Sequence, residues 1–165
     1  MVAANHIAYT AFINPPGATP ILTRAHIWPL LRRKVHSAQE FVPVISSTTV
    51  LSTTTNATGH PVTVREVTFL EGNRVVREEC VEYEPMKIEF LQGDGSKVQN
   101  VVSEGSEGEL YMTYTFEWLH PELAGDAEGL SEREAKEKKM AKMAVEGTIK
   151  TMREMVKDGR WEEKI

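Results

Sequence analysis

An α+β fold is predicted: a curved antiparallel sheet of about seven strands wrapped around one long C-terminal α-helix, with short helices after the first strand. Three observations predict it. Ser131 to Lys157 holds good helix formers, no proline and a single glycine, Gly147, and such a helix is about 40 Å long at about 1.5 Å per residue. Between Val44 and Trp118, six β-rich runs are separated by short turn signals, among them Gly72-Asn73, Glu84-Pro85 and Asp94-Gly95. One further strand-like run, His6 to Ile13, precedes them. A long helix with one apolar stripe needs a broad surface to lie on, and an antiparallel meander offers it.

In chain order, Ile7, Tyr9 and Phe12 make the first strand, and Asn14-Pro15-Pro16-Gly17-Ala18-Thr19-Pro20 ends it, because this many prolines suit neither ladder nor helix. Thr23 caps a helix from Arg24 to about His36, with Ile27, Leu30, Leu31 and Val35 on one side. Pro29 removes one helical hydrogen bond and predicts a kink or a late start. A short helical turn follows at Ser37 to Phe41, and then the strands Val44 to Ser52, Val62 to Glu71, Arg74 to Glu84, Met86 to Gln92, Lys97 to Ser103 and Gly108 to Trp118. Ser131 and Glu134 form a capping box at the start of the long helix, and Gly159 ends it. Met140, Met143, Ala144, Met152, Met155 and Val156 supply its apolar positions.

The 165 residues fit one domain, residues 1–165. A net charge of −5 makes no electrostatic case for nucleic acid or an anionic membrane. The N-terminal residues lack a basic region followed by an apolar run, and no stretch approaches the ~20 apolar residues of a membrane span. The single Cys80 excludes an internal disulfide and suits a reducing compartment, so a cytoplasmic protein is expected. The five histidines show no metal-ligand spacing and read as surface groups; no metal and no cofactor are expected. No nucleophile elbow or phosphate-cradling loop occurs.

Short turns set the register. A two-residue loop at Gly72-Asn73 places Glu66 opposite Glu79 and Val64 opposite Val81. Alternation then puts Val62, Val64, Glu66, Thr68, Leu70, Val75, Arg77, Glu79, Val81 and Tyr83 on one face. A two-residue turn at Glu84-Pro85 carries that face to Met86, Ile88 and Phe90, and later turns carry it to Gln99, then Leu110, Met112, Tyr114, Phe116 and Trp118. A one-residue bulge would turn Asn100 inward in place of Gln99. This is the more apolar face and is expected to grip the helix. Glu66, Arg77, Glu79 and Gln99 interrupt it. Two readings of that cluster stand: a catalytic or orienting site, in which one carboxylate has a raised pKa beside Arg77, with Tyr114 as a further donor; or an ion cluster that only sets register. Cys80 falls on the opposite face. The helix methionines, Met140 and Met143 included, read equally as the wall of a ligand site or as core. Gly147 makes room for a ligand or for the sheet.

Beyond these patterns, five stretches together resemble the START/Bet v 1-like (SRPBCC) superfamily, of helix-grip architecture, and more narrowly a mainly fungal branch catalogued as a domain of unknown function. They are Ile7-Ala8-Tyr9-Thr10 with Asn14-Pro15-Pro16-Gly17, Arg65-Glu66-Val67-Thr68-Phe69, Tyr83-Glu84-Pro85, Met112-Thr113-Tyr114-Thr115-Phe116-Glu117-Trp118 and Lys142-Met143-Ala144-Val145-Glu146-Gly147. The resemblance implies a cavity between sheet and helix, lined here by Val64, Val81, Ile88, Phe90, Gln99 or Asn100, Met112, Phe116, Met140, Met143 and Gly147, for a hydrophobic small molecule. The superfamily holds lipid carriers, hormone receptors, aromatases and polyketide cyclases alike, so fold does not select among them. Two functions are carried forward. One is cofactor-free cyclisation, lactonisation or hydrolysis of a polyketide-type acyl substrate, with Glu66 or Glu79 as base or nucleophile and Arg77 and Tyr114 stabilising an oxyanion. The other is a non-catalytic carrier or sensor of a lipid or hydrophobic metabolite. A protein-interaction domain with a filled core is a third.

Overall fold

The computed structural model describes residues 2–164. Strands β1 (Ala4–Phe12), β2 (Ile45–Thr55), β3 (Pro61–Phe69), β4 (Val75–Tyr83), β5 (Lys87–Gln92), β6 (Lys97–Glu104) and β7 (Leu110–Leu119) form one antiparallel sheet in the order β1-β7-β6-β5-β4-β3-β2. Helices α1 (Arg24–His36) and α2 (Ala127–Asp158) pack on the same face of it, here called the inner face. Strands β2 to β7 run as the predicted meander, and β1 joins β7 at the far edge. This is the helix-grip arrangement.

Local chemistry sets the helix limits. Asp126 caps α2 by accepting the Gly129 amide at 2.9 Å, so the helix begins a turn before the Ser131 box. It ends as expected at Gly159, whose φ of 84° is left-handed. α1 starts after Thr23 and runs through Pro29 without a late start. Pro29 is in the second turn on the exposed side, where its missing N–H costs a single bond. Arg153 of α2 donates to the carbonyls of Ile13 and Pro20, which fixes the proline-rich loop after β1 to the long helix.

The buried stripe of α2 is Ala141, Val145, Thr148, Ile149, Met152 and Met155. Met140 and Met143 are 46 % and 74 % exposed, which corrects their assignment to the gripping stripe. Met143 is two residues from Val145, about 200° around the helix at about 100° per residue, so the two cannot both face the sheet. The small Ala141 is fully buried.

The register differs from the expected one at all four turns between β3 and β7, and the first two decide the faces of β3 and β4. Between β3 and β4 the last ladder pair is Thr68 with Val75, and Glu71–Asn73 forms a helical turn inside a wider loop. That shifts the pairing by two residues: Glu66 faces Arg77, and Glu79 faces Val64. At the next turn Tyr83 pairs with Lys87, leaving three residues between them. An odd extra residue exchanges faces. Ile88 and Phe90 therefore point inward as expected, but their partners on β4 are Glu82 and Cys80. The inner face of β3 and β4 is Thr63, Arg65, Val67, Val76, Glu78, Cys80 and Glu82. Glu66, Arg77, Glu79, Val64 and Val81 lie on the outer face. On β6, Asn100 and not Gln99 faces inward, paired with Ile88 and Tyr114. The apolarity rule failed on β3 and β4 because the inner charges are paired: Arg65 with Glu78 at 2.6 Å and Arg32 with Glu82 at 3.0 Å.

Candidate functional site

Ile27, Leu30, Leu31, Lys34 and Val35 recur at positions i, i+3, i+4, i+7 and i+8, so Lys34 lies within the apolar stripe of α1. Folding carries it into the core, where it is 7 % exposed. Its Nζ donates to Asn100 Oδ1 at 2.9 Å. The same nitrogen is 4.7 Å from the centre of the Tyr114 ring and 5.3 Å from that of Phe90. Asn100 is fully buried, and its Nδ2 has no partner. The Tyr114 hydroxyl donates to Thr148 Oγ1 of α2 at 2.9 Å. One side chain from each helix and three neighbouring strands thus meet at Lys34.

Arg65 forms the adjoining wall. Its Nη1 donates to the carbonyls of Lys34 and Val35, both at 2.8 Å, capping the last turn of α1. Its Nε and Nη2 both donate to Glu78 Oε2, at 2.9 and 2.6 Å, while Gln92 donates to the other Glu78 oxygen. The guanidinium stacks 5.0 Å from the centre of Phe90. Arg65 therefore holds α1 on the sheet and adds a positive charge beside Lys34.

Burial, with the positive field of Arg65 as the next cause, lowers the Lys34 pKa from 10.5 to about 7. The carboxylate of Glu78 opposes the shift without cancelling it. Lys34 is thus divided between ammonium and free amine at neutral pH. Burial pushes the Cys80 thiol up to about 12, so it stays protonated and is no nucleophile. Burial likewise raises the Tyr114 phenol, which remains a donor. The arrangement offers one proton acceptor or nucleophile, one unused amide donor and apolar walls.

Of the residues singled out in the sequence, Tyr114, Asn100, Ile88, Phe90, Met112 and Phe116 come together here, all buried. Glu66 and Arg77 face each other on the outer face, Glu79 is exposed there, and Gln99 bonds Glu89 on that side at 3.2 Å. Val64 and Val81 share the outer face, Val81 buried against its neighbours. Gly147 is half-buried, and a Cβ on it would meet nothing within 4 Å. Sequence reasoning missed Lys34, although a lysine within a helical apolar stripe marked it. It missed Arg65, Glu78 and Cys80 because the parity of one turn hid them. His120 is buried and not at the surface: its Nε2 lies 2.5 Å from Glu137 Oε1, whose other oxygen accepts Asn5 Nδ2 at 2.7 Å.

Two clefts of about 230 and 450 Å³ open at the surface, the first against Trp28 and Trp161, the second where β1 meets the start of α2. Neither is lined by Lys34, Asn100 or Tyr114. Among the described residues no cluster of His, Cys, Asp and Glu is placed to hold a metal ion, and no helix is long and apolar enough to cross a membrane.

Several solved structures share the fold at low identity. The di-domain aromatase/cyclase StfQ from the steffimycin biosynthetic pathway superimposes with a TM-score of 0.65 at 9 % identity over 96 % of this chain, which spans 52 % of StfQ. The ZhuI aromatase/cyclase from Streptomyces sp. R1128 gives 0.55 at 11 % identity, with 93 % of this chain and 96 % of ZhuI covered. Ara h 8.0201 gives 0.55 at 13 %, with 94 % and 99 % covered. No curated protein matches the sequence significantly. Residues 7–159, nearly the whole length, match the family described as acetylaranotin biosynthesis cluster protein L, AtaL. The chain is a member of the AtaL family, built on the START/Bet v 1-like helix-grip fold.

Proposed function

We propose that the protein binds an apolar, carbonyl-bearing small molecule of polyketide type between the sheet and its helices and promotes its cyclisation, lactonisation or hydrolysis. The carrying observation is the pairing, inside an apolar core, of the Lys34 amine with the buried Asn100 amide whose Nδ2 has no partner. A free amine takes a proton from the carbon between two carbonyl groups. The Asn100 N–H then donates to the enolate oxygen, in surroundings where such a bond is strong. The enol carbon or oxygen attacks a second carbonyl held in the same folded conformer, where proximity supplies much of the rate. The π electrons of that carbonyl move to its oxygen, which takes the proton back from the Lys34 ammonium; where the carbonyl is a thioester, the oxyanion instead collapses and expels the thiolate, which takes the proton. The Tyr114 ring stabilises the ammonium formed on Lys34. The family's description as a biosynthesis-cluster protein and the aromatase/cyclases sharing the fold support this class of substrate. Glu66, Arg77 and Glu79 have no part in this reading, since they face away from the helices.

Ligand reaches Lys34 by displacing side chains of the core, in which Met112, Met152 and Met155 are the flexible ones. The contacts Lys34 already makes with Asn100 favour a second reading, a carrier in which a ligand headgroup merely replaces one partner.

The test is conversion of a poly-β-carbonyl thioester by the wild type and by Lys34→Met, with binding of an apolar fluorescent probe measured in parallel. Lost turnover with retained binding is the expected result. Equal turnover by the variant would remove Lys34 from the chemistry, binding without turnover in either protein would leave the carrier, and absence of binding would overturn both.

A further inference from the structure

We propose that Lys34 forms a covalent imine with a ketone or aldehyde carbon of its ligand, an inference that rests on the small-molecule reading above. The geometry points to it. The group bonded to Nζ is a neutral amide oxygen, and among the described residues Lys34 makes no ion pair with a carboxylate that would hold it permanently charged. The nearest carboxylate wall, Glu78, is already taken up by Arg65 and Gln92. Beside the amine is a buried N–H donor without a partner, Asn100 Nδ2, suited to hold a carbonyl oxygen while nitrogen attacks the carbon. Phe90 and Tyr114 cover the amine with apolar surface, which excludes the bulk water that would hydrolyse the product.

The step balances without an oxidant or reductant. The Nζ lone pair forms the N–C bond as the carbonyl π electrons move to oxygen, which takes a proton. The carbinolamine then expels that oxygen as water while nitrogen forms the C=N bond and releases its remaining proton. Attack needs a free amine, and burial, reinforced by Arg65 on β3 and opposed by Glu78 and Cys80 on β4, lowers the lysine pKa to about 7; Tyr114 on β7 is the other titratable group beside Nζ. An ordinary lysine is almost wholly protonated there.

The experiment treats the full chain at several pH values with 2,4-pentanedione, whose imine tautomerises to a stable enaminone absorbing in the near ultraviolet. Intact mass reports the gain of one diketone less one water, and peptide mapping locates it. We expect labelling of Lys34 at least about tenfold faster at pH 7 than that of exposed lysines such as Lys150 and Lys157, with a rate that levels off above pH about 7. The exposed lysines are controls inside the same molecule, so the result stands even if Lys34→Met fails to fold. No label on Lys34, or label spread evenly over the lysines, overturns the imine. If Lys34→Met then still abolishes thioester turnover while the probe binds, the base reading survives alone; if the probe does not bind the wild type, both fall.

Discussion

Lys34 should make this protein more stable as pH rises from neutral, the reverse of what a surface lysine does. In the unfolded chain its amine has the ordinary value of 10.5, and in the fold about 7. Between those values the unfolded chain binds a proton that the folded one does not, so unfolding free energy climbs with pH by about 1.36 kcal/mol per unit. Below pH 7 both states are protonated and the full penalty, about 5 kcal/mol, is present. Above 10.5 it is gone. The perturbation is Lys34→Met, which keeps the stem and removes the charge. The variant also loses the bond to Asn100, but that loss does not depend on pH and cancels from the comparison. Urea unfolding of both proteins from pH 6 to 9 is the assay. The advantage of the variant should be largest at pH 6 to 7 and shrink by about 3 kcal/mol by pH 9. The opposing titration of Cys80, whose thiol is raised to about 12 in the fold by burial, costs stability only above its ordinary 9.0, at the upper end of this range. A difference that stays level across the range would refute the claim that burial holds Lys34 partly neutral.

Three further outcomes are expected. Arg65→Met leaves Glu78 buried without its cation and two carbonyls of α1 uncapped, and should cost about 3–5 kcal/mol by thermal or urea unfolding, with the Arg65→Met/Glu78→Gln double variant costing clearly less than the two single losses together. Gly147→Ala meets open space in mid-helix and should stabilise by about 1 kcal/mol; a loss of stability would show that the glycine is required by packing. Glu66→Gln and Glu79→Gln, on the outer face, should leave probe affinity and thioester turnover unchanged and stability within about 0.5 kcal/mol, and a loss of turnover in either would return the chemistry to that face.

Much of the architecture was legible because it is local. The hairpin strands announce themselves by β-branched residues between turn signals, and α2 by its composition and its terminal Gly159. Tyr114, Phe116 and Met112 were placed inward correctly, since apolar and polar residues alternate cleanly along β7. On β3 and β4 the two faces carry comparable numbers of charges, and one extra residue at the Tyr83–Lys87 turn decided which face was buried. In α2, two apolar sets are available, one with the exposed Met140 and Met143 and one with the smaller, fully buried Ala141, and hydrophobicity alone favours the methionines.

From residue order alone follow the strand count, the long terminal helix and an uncovered turn grammar that makes a meander; these depend on interactions a few residues long. Tertiary structure alone decided which charges are inside. Arg65 is tolerable in the core only because the end of α1 brings two carbonyls to it and β4 brings Glu78. Lys34 becomes a weak base only because α1 buries it against the sheet beside Arg65, a residue far away in sequence. A side chain's solvation energy depends on what surrounds it in space, and that is set when the whole sheet closes on its helices.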